Sequence, residues 1–174
     1  SKYVLFTVVA AFCLIVFGCT AGQKVRVVDR PNIALTNDFS VGNRPPLMPS
    51  AFMKLPVGAI EPAGWVRRQL ELQADGFSGH LTEISQFLKK DNNAWLSPAG
   101  VGHSPWEEVP YWLKGYGDLG YVLRDDALIA EAKKWIDAAL ASQREDGWFG
   151  PRALLTSLNG KPDLWPHMVM LNVL

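Results

Sequence analysis

The sequence predicts an all-α fold, an arc of helical hairpins of the kind that closes into a toroid, entered by a short extended lead-in. Three observations carry that prediction. Apolar residues recur at helical spacing over residues 109–123 and again over 128–140. Only Arg124-Asp125-Asp126 separates the two stretches, so the helices must pack antiparallel. The pair closes on Gln143-Arg144-Glu145-Asp146-Gly147-Trp148-Phe149, a glycine turn followed by aromatics. Glycine permits the left-handed backbone that ends a helix, and such a closing segment recurs in rings of paired helices.

Composition limits the function classes. The chain has 174 residues, 48% hydrophobic and 20% charged, enough to bury a core. Lysine plus arginine number 17 and aspartate plus glutamate 17, a balance that offers no basic footprint for nucleic acid. Both cysteines, Cys13 and Cys19, precede the folding part, so neither a disulfide framework nor a cysteine metal site is expected there. His80, His103 and His167 lie far apart without ligand spacing, and no metal site is read from them. The seven tryptophans ask for roles beyond filling a core.

The first residues read as an address. Lys2 gives a short positive start, and residues 3–18 carry no charge. That run is short of the roughly 20 residues of a comfortable membrane span, but it suits a signal peptide. It ends in Val16-Phe17-Gly18-Cys19, which resembles the lipobox of bacterial lipoproteins. Residues 1–18 are therefore expected to be a signal peptide, with Cys19 lipidated and the protein held to the membrane only through that lipid. The expected location is periplasmic or cell-surface. Cleavage after Ala21 with plain secretion is the rival, and an uncleaved anchor the third reading.

The mature chain follows in order. Residues 19–60 form the expected lead-in, where Pro31, Pro45, Pro46, Pro49 and Pro56 break helices and Val25, Val27 and Val28 could make a short strand. Residues 61–174 form the helical region. A helix opens at Glu61 with Pro62 in its first turn, pairs Val66 with Leu70 and Trp65 with Leu72, and stops at Asp75-Gly76. A second helix is expected over residues 80–89, with Leu81, Ile84, Ser85 and Leu88 on one stripe. Residues 91–103 form a long loop containing Trp95 and His103.

Ser104-Pro105-Trp106-Glu107 reads as a capping box that starts the next helix. That helix carries Val109, Trp112, Leu113, Tyr116, Leu119 and Leu123 on one stripe, with Tyr111, Lys114 and Asp118 opposite. Gly115, Gly117 and Gly120 each cost about 1 kcal/mol against alanine, a cost that makes sense where something approaches the backbone closely. Leu128, Ala132, Trp135, Ile136 and Ala139 form the stripe of the helix over 127–143. A last apolar helix begins at Asp163 and reaches Leu174 without a cap, which reads as a truncated chain.

The candidate binding residues come from the aromatics and histidines outside those stripes. Trp65, Trp112 and Trp135 sit on stripes and are read as core. Trp95, Trp106, Trp148 and Trp165 lie in loops or helix starts, where an aromatic face can stack on the C–H face of a sugar. Against this, Trp95 could fold back on the core and Trp148 could plug the gap between hairpins. His103 and His167 join the candidates, although a lone histidine among apolar residues, such as His167, is more often a packing residue. Glu107 and Glu108 are not a catalytic pair, because adjacent helical side chains diverge by about 100° and cannot straddle one bond. Catalytic residues are not readable.

Several segments together resemble the start of the catalytic domain in beta-L-arabinofuranosidase-like glycoside hydrolases, glycoside hydrolase family 127 and its relatives. They are Lys54-Leu55-Pro56-Val57-Gly58, Gly64-Trp65, Gln69-Leu70-Glu71-Leu72-Gln73 and Gly79-His80-Leu81. Trp106-Glu107-Glu108-Val109-Pro110-Tyr111-Trp112-Leu113-Lys114-Gly115, the stretch from Gln143 to Pro151 and Asp163-Leu164-Trp165-Pro166 complete the set. The resemblance covers residues 45–174. It implies a toroid of six helical hairpins, the (α/α)6 type, in a chain several times longer. It also implies an enzyme that removes arabinofuranose from plant-type glycans, with an oligo- or polysaccharide as substrate. Family members use a zinc-bound cysteine as nucleophile, with glutamates as ligand and acid–base. Those residues correspond to positions beyond Leu174, so the resemblance implies zinc for the full-length protein and inactivity for this segment alone.

Other readings stay open. A polysaccharide lyase or a cyclase also builds a helical toroid, although a cyclase would repeat the glutamine, aspartate-glycine, tryptophan pattern that occurs once here. A non-catalytic carbohydrate-binding lipoprotein is the third.

Overall fold

The computed structural model describes residues 27–29, 42–50 and 52–174. The expected signal peptide, the lipobox with Cys19 and most of the lead-in lie outside the described residues. The chain divides into two compact units, Ser1–Met53 and Lys54–Leu174. In the first, Val27 and Val28 are exposed and belong to no strand.

The second unit is all-α. Among the described residues it contains α1 (Gly64–Asp75), α2 (Leu81–Ile84), α3 (Glu108–Leu123), α4 (Asp126–Ala141) and α5 (Trp165–Val173). Short 3-10 turns cover Gln86–Leu88 and Arg152–Leu155. No described helix is long and apolar enough to cross a membrane.

The α3–α4 hairpin is the centre of the fold, and its corner follows from three residues. Arg124 takes the left-handed conformation at φ 58° and ends α3. Asp125 then caps α4, its carboxylate accepting the backbone N–H groups of Ala127 at 2.9 Å and Leu128 at 3.0 Å. At Gly120 the helices come so close that a Cβ would lie 3.0 Å from the Leu128 Cβ. The other glycines differ: Gly117 would make ordinary contact with Ala132, and Gly115 faces open space. Close helix approach therefore accounts for Gly120 alone.

α3 packs on α4 and on α5, and more lightly on α1 and the Gln86–Leu88 turn. Val109, Leu113, Tyr116 and Leu119 from α3 meet Leu128, Ala132 and Trp135 from α4 and Met170 from α5 in one buried cluster. Trp112 bridges its edge, with the Trp135 ring edge-on at 5.4 Å and Tyr116 at 4.6 Å. Trp135 donates its Nε1–H to Glu131, which also holds Lys90 at 2.7 Å and Lys134 at 3.0 Å. Burial pushes the Glu131 carboxyl up, but the hydrogen bonds from Lys90, Lys134 and Trp135 outweigh it and hold it below the usual range. Tyr116 is pushed up by burial first, then by the charges of Glu131 and Asp125.

Four expectations are corrected. The first helix starts at Gly64, so Pro62 precedes it, and Glu61 instead forms an ion pair with Arg124. Trp65 is not core: it is 78% exposed, and α1 buries none of its residues. The helix expected over residues 80–89 breaks at Ser85, whose backbone is extended and whose Oγ accepts the Phe87 N–H at 3.3 Å. A serine that binds its own neighbouring backbone competes with the helix, and here it wins. The capping box does not form either, because Ser104 has φ 50° and bonds His103 while α3 begins only at Glu108. Pro110 then falls in the first turn, where a missing N–H costs little.

Candidate functional site

The loop after residue 90 is built as a plug, and Asn93 organises it. The buried Asn93 donates to the carbonyls of Phe87 at 3.0 Å and Lys89 at 3.1 Å, and accepts the Trp95 N–H at 3.1 Å. Those bonds drive the Trp95 ring into the core, where it is fully buried and donates its Nε1–H to the Trp106 carbonyl at 2.9 Å. Gly150 sits against that ring at φ 72°, where a Cβ would lie 2.6 Å from a ring carbon. The buried Ser142 fixes the same corner, accepting the Gly150 N–H at 2.7 Å and donating to the Ala139 carbonyl at 2.6 Å.

His103 closes the loop. A carbonyl can only accept, so its Nε2–H donates to the Asp91 carbonyl at 2.9 Å, and its Nδ1 shares a hydrogen bond with the Ser104 hydroxyl at 2.8 Å. Its ring is spent on holding the loop.

Trp148 and His167 form an inner aromatic cluster. The Trp148 ring lies 4.3 Å from His167, with Phe149 at 4.9 Å and Trp95 at 5.9 Å. His167 donates its Nε2–H to the Phe149 carbonyl at 2.8 Å, and its Nδ1 is buried without a partner. Trp148 is half-buried, held by Asp146 at its backbone N–H and by the Pro151 carbonyl at its indole N–H.

Trp106 and Trp165 are brought together differently. Trp106 donates its Nε1–H to Asp163 at 3.0 Å, and Trp165 donates its own to Glu107. Asp163 also accepts the Trp165 backbone N–H at 3.0 Å through its other oxygen. Each tryptophan adjoins in sequence, or nearly so, the acid that binds the other one, across 57 and 58 residues. Charge-assisted bonds of this kind are about twice as strong as neutral ones, so both rings are pinned by their edges. Both residues stay partly exposed, at 44% and 45%.

The candidates thus separate into a half-exposed pair, Trp106 and Trp165, an inner cluster of Trp148 and His167, a buried Trp95 bonded to the Trp106 carbonyl, and His103 in the loop. Glu107 and Asp163, which bind the two indole N–H groups, are not among the candidates: the sequence reading places Glu107 in a capping box and Asp163 at the start of the last helix. The visible signal was an acid beside each tryptophan, in Trp106-Glu107 and Asp163-Leu164-Trp165.

Chemically, the pair offers two rigid aromatic faces whose polar edges are already satisfied. Such faces complement the C–H face of a sugar ring. Asp163 uses both oxygens and Glu107 one, so these carboxylates act here as struts for the rings. The donors present do not fit a zinc–thiolate centre, since residues 54–174 contain no cysteine and the described residues form no cluster of three metal-ligating side chains. No family model matches the chain, and neither a curated protein nor a solved structure does so.

Proposed function

We propose that the chain is the opening part of the catalytic region of an exported glycoside hydrolase of the beta-L-arabinofuranosidase-like class. The α3–α4 hairpin and α5 are then the first members of a six-hairpin toroid, and the substrate is an arabinose-containing oligo- or polysaccharide. The observation that carries this reading is the reciprocal lock between Trp106-Glu107 and Asp163-Trp165. Burying neither ring yet fixing both makes sense where a flat ligand must land on them. The two sequence segments that carry the lock are also among those that resemble the family, which ties geometry and resemblance to the same residues.

On this reading residues 54–174 supply a substrate-side rim, and the bond-breaking groups belong to the full-length protein beyond Leu174. Zinc would be held there and not by residues 54–174, which contain no cysteine. Export through a Cys19 lipid anchor completes the picture, and Cys19→Ala should abolish lipid labelling of the protein in cells. The activity is tested by release of arabinose from an aryl β-L-arabinofuranoside by the full-length protein. Release is expected, and its absence removes the arabinofuranosidase reading.

A further inference from the structure

The reciprocal lock between Trp106-Glu107 and Asp163-Trp165 also limits what the pair can offer a ligand. An indole has one polar hydrogen, its Nε1–H, and no acceptor. Both of these hydrogens are spent on carboxylates, that of Trp106 on Asp163 at 3.0 Å and that of Trp165 on Glu107. The two side chains therefore meet a ligand through ring carbon alone, and a hydroxyl group gains no hydrogen bond from them.

The acids are not interchangeable. Asp163 accepts through both oxygens, the Trp106 indole on one and the Trp165 backbone N–H, at 3.0 Å, on the other. Glu107 accepts the Trp165 indole through Oε2. An asparagine has one acceptor oxygen and cannot satisfy both N–H groups, whereas a glutamine at 107 keeps the one acceptor in use. An apolar residue in place of either acid frees an indole edge. A partly exposed ring must then be ordered by the ligand itself, at a cost in affinity.

Charge has a separate consequence. Among the described residues no lysine, arginine or histidine forms an ion pair with Glu107 or Asp163. Glu107 precedes α3 and Asp163 precedes α5, and each helix N-terminus offsets about half a unit charge. The remainder, about one negative charge for the pair, lies at the edges of the rings. A neutral sugar is indifferent to it, and a sugar carboxylate is repelled.

We propose that Glu107 and Asp163 are positioning residues that hold Trp106 and Trp165 as one preset platform and, by their charge, favour neutral over acidic sugars. The proposal rests on the carbohydrate-handling reading above and narrows its ligand class.

The test is calorimetric titration of the full-length protein at low ionic strength. The ligands are a neutral arabino-oligosaccharide and the same oligosaccharide oxidised to a carboxylate at its terminal primary alcohol. The unsubstituted protein should prefer the neutral form by about threefold, a preference that fades in about 0.5 M salt. Glu107→Leu should weaken neutral binding by about three- to tenfold, the effect of ordering one free side chain. Glu107→Gln should keep neutral binding within about twofold of the unsubstituted protein while lowering the preference for the neutral form. Asp163→Asn, short of one acceptor, should weaken neutral binding, and it replaces Glu107→Leu in the comparison if that variant unfolds. Unchanged neutral affinity in Glu107→Leu and Asp163→Asn overturns the proposal, and so does a neutral preference that Glu107→Gln leaves intact. Binding that follows these variants without arabinose release keeps the proposal and removes the glycosidase reading. Arabinose release with binding indifferent to the variants does the reverse, and an unsubstituted protein that binds no oligosaccharide overturns both.

Discussion

α1 and α3 are both amphipathic, α1 being much the less apolar of the two, and they meet opposite fates. α3 buries Val109, Leu113, Tyr116 and Leu119 between α4 and α5, whereas α1 buries no residue and leaves Trp65 78% exposed. Periodicity states that a segment can be helical and which residues share a face. Whether that face is covered depends on a partner, and α3 has one on each side. Stability should therefore concentrate in the α3–α4–α5 body and its loop plug, with little in α1.

Removing the plug should break that contrast most severely. Trp95→Ala empties a fully buried site beside Gly150 and should lower unfolding stability by about 3–5 kcal/mol in chemical denaturation. Asp125→Ala should cost about 1 kcal/mol, because the carboxylate caps α4 through two N–H groups at the corner.

A smaller effect is expected at Glu131, whose carboxyl is held below its ordinary value in the folded protein. A lowered folded pKa contributes stability that is present above the unfolded value, about 4.5, and lost as pH falls through the folded value. Stability should therefore decline on acidification below that range, and Glu131→Gln should flatten this part of the pH profile. The least effect belongs to α1: Trp65→Ser should change stability by no more than about 0.5 kcal/mol. A large loss there would show that α1 shares in the core.

The hairpin was legible because its determinants are local. Arg124-Asp125-Asp126 and Asp146-Gly147 act within a few residues of where they are read, and the intervening stripes have no competing signal. The segment over residues 80–89 misled because its stripe included Ser85, whose hydroxyl offers the backbone an alternative to the helix. The apparent capping box failed for a similar reason, since Ser104 is drawn to His103.

Legibility of the site divides along the same line. Trp106 and Trp165 stood out by type and position. Their pairing with Asp163 and Glu107 spans 57 and 58 residues, and periodicity carries no information about such a contact. Glu107 looked like a helix cap because the acid beside a helix start is most economically read that way. Trp95 lies in a loop yet is buried, and only the Asn93 bonds to Phe87 and Lys89 reveal why.

The proposed sugar-binding role of the Trp106–Trp165 pair is tested most directly by following indole N–H resonances while an arabino-oligosaccharide is titrated into the isotopically labelled full-length protein. The expected result is saturable shifts of the Trp106 and Trp165 signals, with the buried Trp135 signal unmoved. Saturable binding that leaves Trp106 and Trp165 unshifted would contradict it.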